Sequence, residues 1–179
     1  MRTFPSLLLV ASFGLVHAPL AHADDTLRAQ VVDLLSAYEE PATAAQLRAL
    51  GADVGAELLA VAQDTTLSHT RRAGAVFALG YFPTDAHRGW LSALATTEGG
   101  DSLLRRKAVY ALAAGWGDAA LLDLGRALAA PDTQLRAATA RALGRIGSPA
   151  AQDTLRARLA AEADPMVRST LSSALGVTK

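Results

Sequence analysis

Four arginines recur at nearly equal intervals along the chain, and their charged side chains could bind an anion or a carboxylate. Arg72, Arg105, Arg136 and Arg168 stand 33, 31 and 32 residues apart, and we call them the anchor arginines. A guanidinium donates paired, charge-assisted hydrogen bonds to a carboxylate or a phosphate. The row could therefore bind anions, or it could form a structural ladder in which each arginine bonds the acidic residue that begins its own or the next repeat. We favour the ladder, because the arginines fall where helices are predicted to meet.

A second set of residues combines aromatic and basic side chains that follow the anchor arginines by one, five or nine positions. On a helix whose core stripe lies three, four and seven positions after the arginine, these side chains face outward. Aromatic residues and arginine dominate the binding energy of protein interfaces. They therefore predict a partner-binding surface, and the alternative is partial burial between helices with solvated arginines. The six residues are Phe77, Tyr81, Arg106, Tyr110, Arg141 and Arg145.

No arrangement typical of catalysis accompanies these residues. The chain has no Cys, and His69 and His87 are too far apart in sequence for a local HxxH or HExxH site. We expect both histidines at the surface or near helix ends. The segment Gly115-Trp116-Gly117 follows a predicted helix rather than a strand, so it does not predict a nucleotide-binding turn. The sequence predicts no enzyme, no cofactor and no metal site.

The elements that would position these residues are pairs of helices. Each anchor arginine is followed by Leu seven positions later and, in three of the four copies, by Gly eight positions later. Nineteen residues after the first three anchor arginines stand Leu91, Leu124 and Leu155, each inside another apolar run. Such runs have the length and periodicity of helices rather than strands. The 40 Ala and 29 Leu in 179 residues suit the same interpretation.

Helix ends are marked as well. Pro149 and Pro165 stand at predicted first helical positions, where a missing N–H is tolerated. Glycines are common just beyond helix C-termini, so we predict that Gly80, Gly144 and Gly176 end their helices. Residues of good N-cap type lie four positions before the anchor arginines, and these are Ser68, Asp101, Asp132 and Asp164.

The pattern resembles the short HEAT-like repeat of the phycobilisome-lyase type, whose helix pairs share a V-R-x-x-A-x-x-A-L-G core. The resemblance covers residues 52–178, and its best copy begins at Asp164 and ends at Ala174-Leu175-Gly176. It implies an all-α, right-handed solenoid of about four helix pairs, with the second helix of each pair on the concave side. Certain bilin lyases share this repeat, which brings in a lyase-like enzyme as an alternative function by analogy alone.

The first 23 residues predict a signal peptide. Arg2 supplies the positive start, an apolar stretch covers residues 7–16, and Ala21-His22-Ala23 matches a cleavage site. The alternative is a membrane anchor, but ten apolar residues are too few to span a bilayer. We therefore expect a mature chain that begins at Asp24 and is exported, to the periplasm or as a secreted protein.

The remaining chain divides into residues 24–51 and 52–179. Segments 26–38 and 43–50 predict two helices that do not repeat cleanly, although a faint fifth copy of the pattern begins at Leu27-Arg28. A solenoid needs a terminal element with a polar outer face, because its end repeat has no neighbour. We predict that residues 24–51 form this N-terminal helical cap and that residues 52–179 form the solenoid.

Charge and architecture together predict a non-enzymatic role. Lys and Arg number 17 and so do Asp and Glu, which argues against a nucleic-acid binder, and no later segment predicts a membrane span. We predict a scaffold or adaptor that binds a partner protein or peptide on the concave face. The alternatives are a lyase-like or small-molecule-binding role in the same groove, and a structural subunit that associates through its C-terminal repeat.

Overall fold

The structure, a computed structural model, describes residues 21–36 and 41–176, with side chains from residue 26 onward. The predicted signal peptide lies outside the described residues except for its last three positions. In the described part all regular structure is helical, as predicted. The α-helices are α1 Ala21–Leu34, α2 Ala44–Arg48, α3 Val54–Gln63, α4 His69–Ala78, α5 Asp85–Thr96, α6 Ser102–Trp116, α7 Leu121–Leu128, α8 Thr133–Ile146, α9 Pro149–Ala161 and α10 Pro165–Ala174. Short 3-10 helices follow α4 at Leu79–Tyr81 and α6 at Gly117–Ala120.

The helices from α3 onward form four consecutive pairs, and the pairs stack into two layers. Helices α4, α6, α8 and α10 carry the anchor arginines and pack each on the next, so we call them the anchor layer. Helices α3, α5, α7 and α9 are their partners within the pairs, and we call them the companion layer. The protein is therefore an all-α, HEAT-like solenoid, as the repeat predicts.

Leucines of the two repeated positions fill the space between the layers. Leu91, Leu124 and Leu155 of the companion layer are fully buried, which confirms the 19-residue register. The leucines seven positions after the anchor arginines are fully buried in the first three repeats, whereas Leu175 in the last repeat is only partly buried. Among the described residues no further helix follows to cover it.

The predicted N-caps are confirmed at all four anchor helices. Ser68 Oγ accepts a hydrogen bond from the backbone of Arg71, and a carboxylate oxygen of Asp101 accepts one from Leu104. Asp132 and Asp164 each accept two backbone N–H groups in the first turn of α8 and α10. These bonds satisfy donors that a helix N-terminus otherwise leaves open.

The prediction that three repeat glycines end their helices is wrong for Gly144 and holds for Gly176. Helix α8 continues past Gly144 and ends before Gly147, which has the left-handed φ of 68°. A Cβ on Gly144 would lie 3.0 Å from the Cβ of Ala174 on α10. Gly144 therefore lies at a close helix–helix contact with little room for a side chain. In the sequence, a glycine at such a contact looks the same as a glycine that ends a helix.

Gly80 likewise lies inside a helical segment, the 3-10 turn after α4. A Cβ there would lie 2.8 Å from the carbonyl oxygen of Ala111 on α6. Gly115, one turn further along α6, would meet the Gly80 carbonyl at the same distance. The two glycines let the backbones of neighbouring anchor-layer helices touch.

The N-terminal helices differ in their bounds from the prediction. Helix α1 begins five residues earlier than expected and ends at Leu34, and α2 is a short helix whose N-cap Thr43 forms a capping box with Gln46. Arg28 of α1 forms ion pairs with Glu57, at 2.8 Å, and with Asp64. These contacts join α1 to α3, and the role of residues 24–51 as a cap stays a prediction.

None of the helices that the structure describes has the length and hydrophobicity that a membrane-spanning segment requires.

Candidate partner-binding face

The anchor arginines reach back to the C-terminal end of the helix that precedes their own. Arg72 Nε donates to the carbonyl oxygen of Ala62 on α3 at 3.1 Å. Arg105 Nε donates to that of Ala95 on α5 at 3.2 Å. In both cases the bond closes the end of the companion helix and joins it to the anchor helix of the same pair.

The last two anchor arginines also donate to carbonyls near the end of the preceding helix, through Nη1 rather than Nε. Arg136 Nη1 donates to the carbonyls of Ala130 and Pro131, at 2.9 and 2.8 Å, just beyond α7. Arg168 Nη1 donates to the carbonyls of Leu159 and Glu162, at 3.1 and 2.9 Å, at the end of α9. All four guanidiniums thus lie at a helix C-terminus, where the helix dipole favours a cation.

The acceptors differ from the acidic residues that the ladder hypothesis names. Among the described contacts, only Arg105 approaches an N-cap carboxylate, with Nη1 3.5 Å from Asp132 Oδ2 in the next repeat. The junctions are held mainly by backbone carbonyl oxygens. Each arginine has these carbonyls in its own helix pair, so the recurring arginine joins the two helices of one repeat more than it joins repeats.

Arg136 also takes part in a buried ion-pair network around Glu162. Its Nε and Nη2 donate to the two carboxylate oxygens at 2.9 and 3.0 Å. Arg158 donates two hydrogen bonds to the same carboxylate, and the backbone N–H of Asp164 donates one. The hydrogen bonds from Arg136, followed by those from Asp164 and Arg158, outweigh burial and lower the pKa of Glu162 from 4.5 to about 2.

The predicted partner-binding residues fall into two groups, and the first lies on α4 and the 3-10 helix that follows it. Phe77 and Tyr81 pack edge to face with ring centroids 5.7 Å apart. Lys107 Nζ, on α6, lies 5.6 Å from the centre of the Phe77 ring. Phe77 and Lys107 also line an apolar groove of about 350 Å³ that reaches Leu34 and Leu35 at the C-terminal end of α1.

The second group lies on α6 and α8. The guanidinium carbon of Arg145 stands 5.5 Å from the centre of the Tyr110 ring, a cation–π contact that orients the arginine. Arg141 and Arg145 are exposed, and they line a cleft of about 400 Å³ between α8 and α10. The opposite wall carries three hydroxyl side chains, Ser169, Thr170 and Ser173.

Arg106 belongs to neither group. Its Nη1 donates to Ser102 Oγ, one turn earlier on α6, at 3.3 Å. Lys107 and the hydroxyls of α10 were not among the predicted residues. For Ser169 and Ser173 a signal existed, because they stand one and five positions after Arg168, in the same register as the predicted residues. The prediction stopped at the aromatic and charged members of that register.

The histidines lie in different surroundings. His69 is exposed, with Nε2 3.5 Å from a carboxylate oxygen of Asp101. His87 is buried, and its Nδ1 lies 2.6 Å from the carbonyl oxygen of Phe82. The His87 side chain is therefore not at the surface but lies near a helix end, the other position that we expected. Its backbone N–H donates to Oγ1 of the N-cap Thr84 at 3.1 Å, and its ring packs beside Gly55 of α3. Across residues 26–36 and 41–176 no group of three or more His, Asp or Glu side chains could hold a metal ion.

Comparison with known proteins agrees with this architecture. Residues 97–176, which include α6 through α10, match a family model described as HEAT repeats. No curated protein matches the chain. The stacked helix pairs and this match, which covers less than half of the chain, support a HEAT-like repeat protein, and HEAT repeats are typical of scaffolds for protein interactions.

Proposed function

We propose that this chain is a non-enzymatic scaffold or adaptor that binds a partner protein or peptide on the outward face of its anchor layer, the face that the repeat resemblance predicts to be concave. The observation that carries the proposal is the pair of groups built around Phe77 and Tyr110. Each combines an aromatic ring with a basic side chain of the neighbouring helix, Lys107 in one and Arg145 in the other. Aromatic and arginine anchors of this kind contribute most of the affinity in protein interfaces.

The arrangement of the two groups suits a partner that lies across several helices. The Phe77 group borders an apolar groove, and the Arg145 group borders a cleft with two exposed arginines. An apolar residue of the partner would contact the first group and supply affinity. Charged residues further along the partner would contact the second group and set its orientation.

A lyase-like or small-molecule-binding role is the alternative that the resemblance brings in. Such a role calls for an enclosed pocket lined by paired ionisable groups. The lining of the arginine cleft combines two guanidiniums with hydroxyl and small side chains and includes no carboxylate among its residues. In this cleft, the composition supports the binding of a partner in preference to general acid–base chemistry.

We also propose that the protein acts outside the cytoplasm, in the periplasm or after secretion. The support is the pattern of Arg2, the apolar stretch 7–16 and Ala21-His22-Ala23. The intact mass of the protein recovered from an extracytoplasmic fraction should correspond to a chain that begins at Asp24. Recovery of the chain from Met1 in the cytosol would contradict this part of the proposal.

The binding proposal is tested with the Tyr110→Ala variant. The mature protein, immobilised, isolates partners from its native envelope, and a purified partner is then titrated against wild type and variant. Loss of the ring removes the contact that orients Arg145, so affinity should fall by about 2 kcal/mol or more, roughly 30-fold in Kd. Thermal unfolding of both proteins is measured alongside. Normal binding by the variant, or a loss that tracks unfolding, would show that Tyr110 is a packing residue.

A further inference from the structure

Charge is divided unequally between the two layers of the solenoid. From its first to its last residue, none of the anchor-layer helices α4, α6, α8 and α10 contains Asp or Glu, yet together they contain nine Arg or Lys residues. Each companion-layer helix from α3 to α9 contains an acidic residue: Glu57, Asp85, Asp123 and Asp153. Although the net charge of the whole chain is balanced, the anchor layer therefore carries an excess of positive charge.

Five of the nine basic residues are not used at helix C-termini. Arg71 donates to Ser36 Oγ at 2.8 Å and Arg106 to Ser102 Oγ, while Lys107 and Arg145 lie over aromatic rings. Within the described part of the chain, none of these residues nor Arg141 forms an ion pair. Their charge is left for a group outside the molecule to neutralise.

The arginine cleft concentrates this charge. Arg141 and Arg145 stand one helical turn apart on α8, an arrangement in which like charges repel. Gly144 lies between them and lets α10 approach closely, so that the backbone of Gly144 and the side chain of Ala174 form the floor. The Thr170 and Ser173 hydroxyls donate to carbonyls four residues earlier, each at 2.9 Å. The guanidinium N–H groups are thus the main donors that the cleft presents.

We propose that the arginine cleft binds the carboxylate side chains of an acidic, extended segment of the partner protein. One turn of helix separates the two arginines by about 6 Å along the axis, and alternate residues of an extended chain are about 6.6 Å apart. Acidic residues at alternate positions can therefore each meet one guanidinium, and each pair can form two parallel hydrogen bonds. This inference rests on the proposed function and specifies the chemistry of the partner at one part of the face.

A peptide fits these observations better than a nucleic acid. A nucleic acid presents a continuous row of phosphates, and tight binding usually neutralises many of them at once. Here two arginines share one short cleft, and Arg145 is held against Tyr110 rather than extended along a groove. The volume of the cleft, about 400 Å³, corresponds to a few side chains.

The test uses fluorescein-labelled, end-blocked peptides with the sequences Glu-Ser-Glu-Ser-Glu and Gln-Ser-Gln-Ser-Gln, and anisotropy as the readout. The variant Arg141→Gln/Arg145→Gln removes both charges of the cleft. The control Arg126→Gln/Arg156→Gln removes two charges from the companion layer, where the side chains are 60% and 57% exposed. All four substituted arginines are exposed, and unfolding midpoints check that both variants fold.

We expect wild type and control to bind the Glu peptide within about twofold of each other, and the cleft variant to bind it about tenfold more weakly or worse. Binding should weaken as salt is raised from about 50 to about 300 mM. The inference is overturned if the Gln peptide binds equally well, if the cleft variant binds normally, or if an oligonucleotide of equal charge binds more tightly. No binding of the Glu peptide, with a partner that still depends on Tyr110, would refute the acidic segment and leave the scaffold intact. Loss of that Tyr110 dependence would instead refute the proposed function.

Discussion

An anchor arginine stabilises the junction of two helices because it supplies charged donors where the preceding helix leaves carbonyl oxygens without partners. Arg136 illustrates the arrangement, because all three of its guanidinium nitrogens donate hydrogen bonds. The acceptors are two backbone carbonyls and both oxygens of the Glu162 carboxylate. The sequence revealed the recurring arginines but not their acceptors. Every residue carries a backbone carbonyl, so the sequence does not mark which of them accept hydrogen bonds from an arginine. The spacing therefore favoured the nearest carboxylates as the predicted partners.

Removal of one anchor arginine should lower the free energy of unfolding. Arg136→Ala leaves two carbonyls short of a donor and Glu162 with fewer partners, so unfolding free energy should fall by about 2–3 kcal/mol. Arg158 still pairs with Glu162, which keeps the loss below that of a fully abandoned buried charge. The control Arg126→Ala, on an exposed side chain 3.9 Å from Asp123, should change it by less than about 0.5 kcal/mol. Equal denaturant midpoints for the two variants would contradict this account.

Glu162 makes stability depend on acid pH. Its pKa is about 2 in the folded protein and 4.5 ordinarily, so its stabilisation is complete above about pH 5 and is lost as pH falls towards 2. Glu162→Gln should therefore be less stable than wild type at pH 7 and should lose less stability between pH 5 and 3. Thr66 lowers the pKa of Asp64 in both proteins, so the difference between them isolates Glu162. Parallel curves of denaturant midpoint against pH would show that this carboxylate is not coupled to folding.

Among the elements, neighbouring anchor-layer helices approach most closely at glycines. A Cβ on Gly80 would lie 2.8 Å from the Ala111 carbonyl oxygen, and a Cβ on Gly115 would lie 2.8 Å from the Gly80 carbonyl oxygen. The helices themselves, their register and their N-caps follow from local patterns and could be predicted. The role of Gly80 and Gly144 could not, because a glycine near a helix end and a glycine at a helix contact look alike until the neighbour is known.

This distinction predicts that two Gly-to-Ala substitutions change the stability of the protein in opposite directions. Gly80→Ala places a Cβ 2.8 Å from a backbone oxygen, which must move, so stability should fall by about 1–3 kcal/mol. Gly125→Ala, inside α7 with nothing within 4 Å of the new Cβ, should stabilise by about 0.5–1 kcal/mol through helix propensity. Thermal and denaturant unfolding of the two variants decide the matter. A Gly80→Ala protein as stable as wild type would mean that the helices can separate at little cost.

For the whole molecule, four helix pairs place the anchor arginines at internal junctions and leave a different set of basic residues on the outer face. The sequence predicted this fold because each repeat carries the same local signals and a stacked repeat buries a continuous core. The sequence predicted the contacts of the proposed binding face less completely than it predicted the fold. The sorting of acidic residues to companion helices is visible only when the helices are assigned to layers, and the pairing of Tyr110 with Arg145 joins residues 35 positions apart.

Site-specific photocrosslinking tests the binding face most directly. A benzophenone amino acid is introduced in place of Ala114, an exposed residue one turn beyond Tyr110 on α6, or in place of Leu122, which is 67% exposed on the companion layer. After irradiation of cells that make the protein, position 114 should give a discrete adduct with a partner protein and position 122 should not. An adduct from position 122 alone, or none from position 114 while the protein is folded, would contradict the assignment of the anchor layer as the partner-binding face.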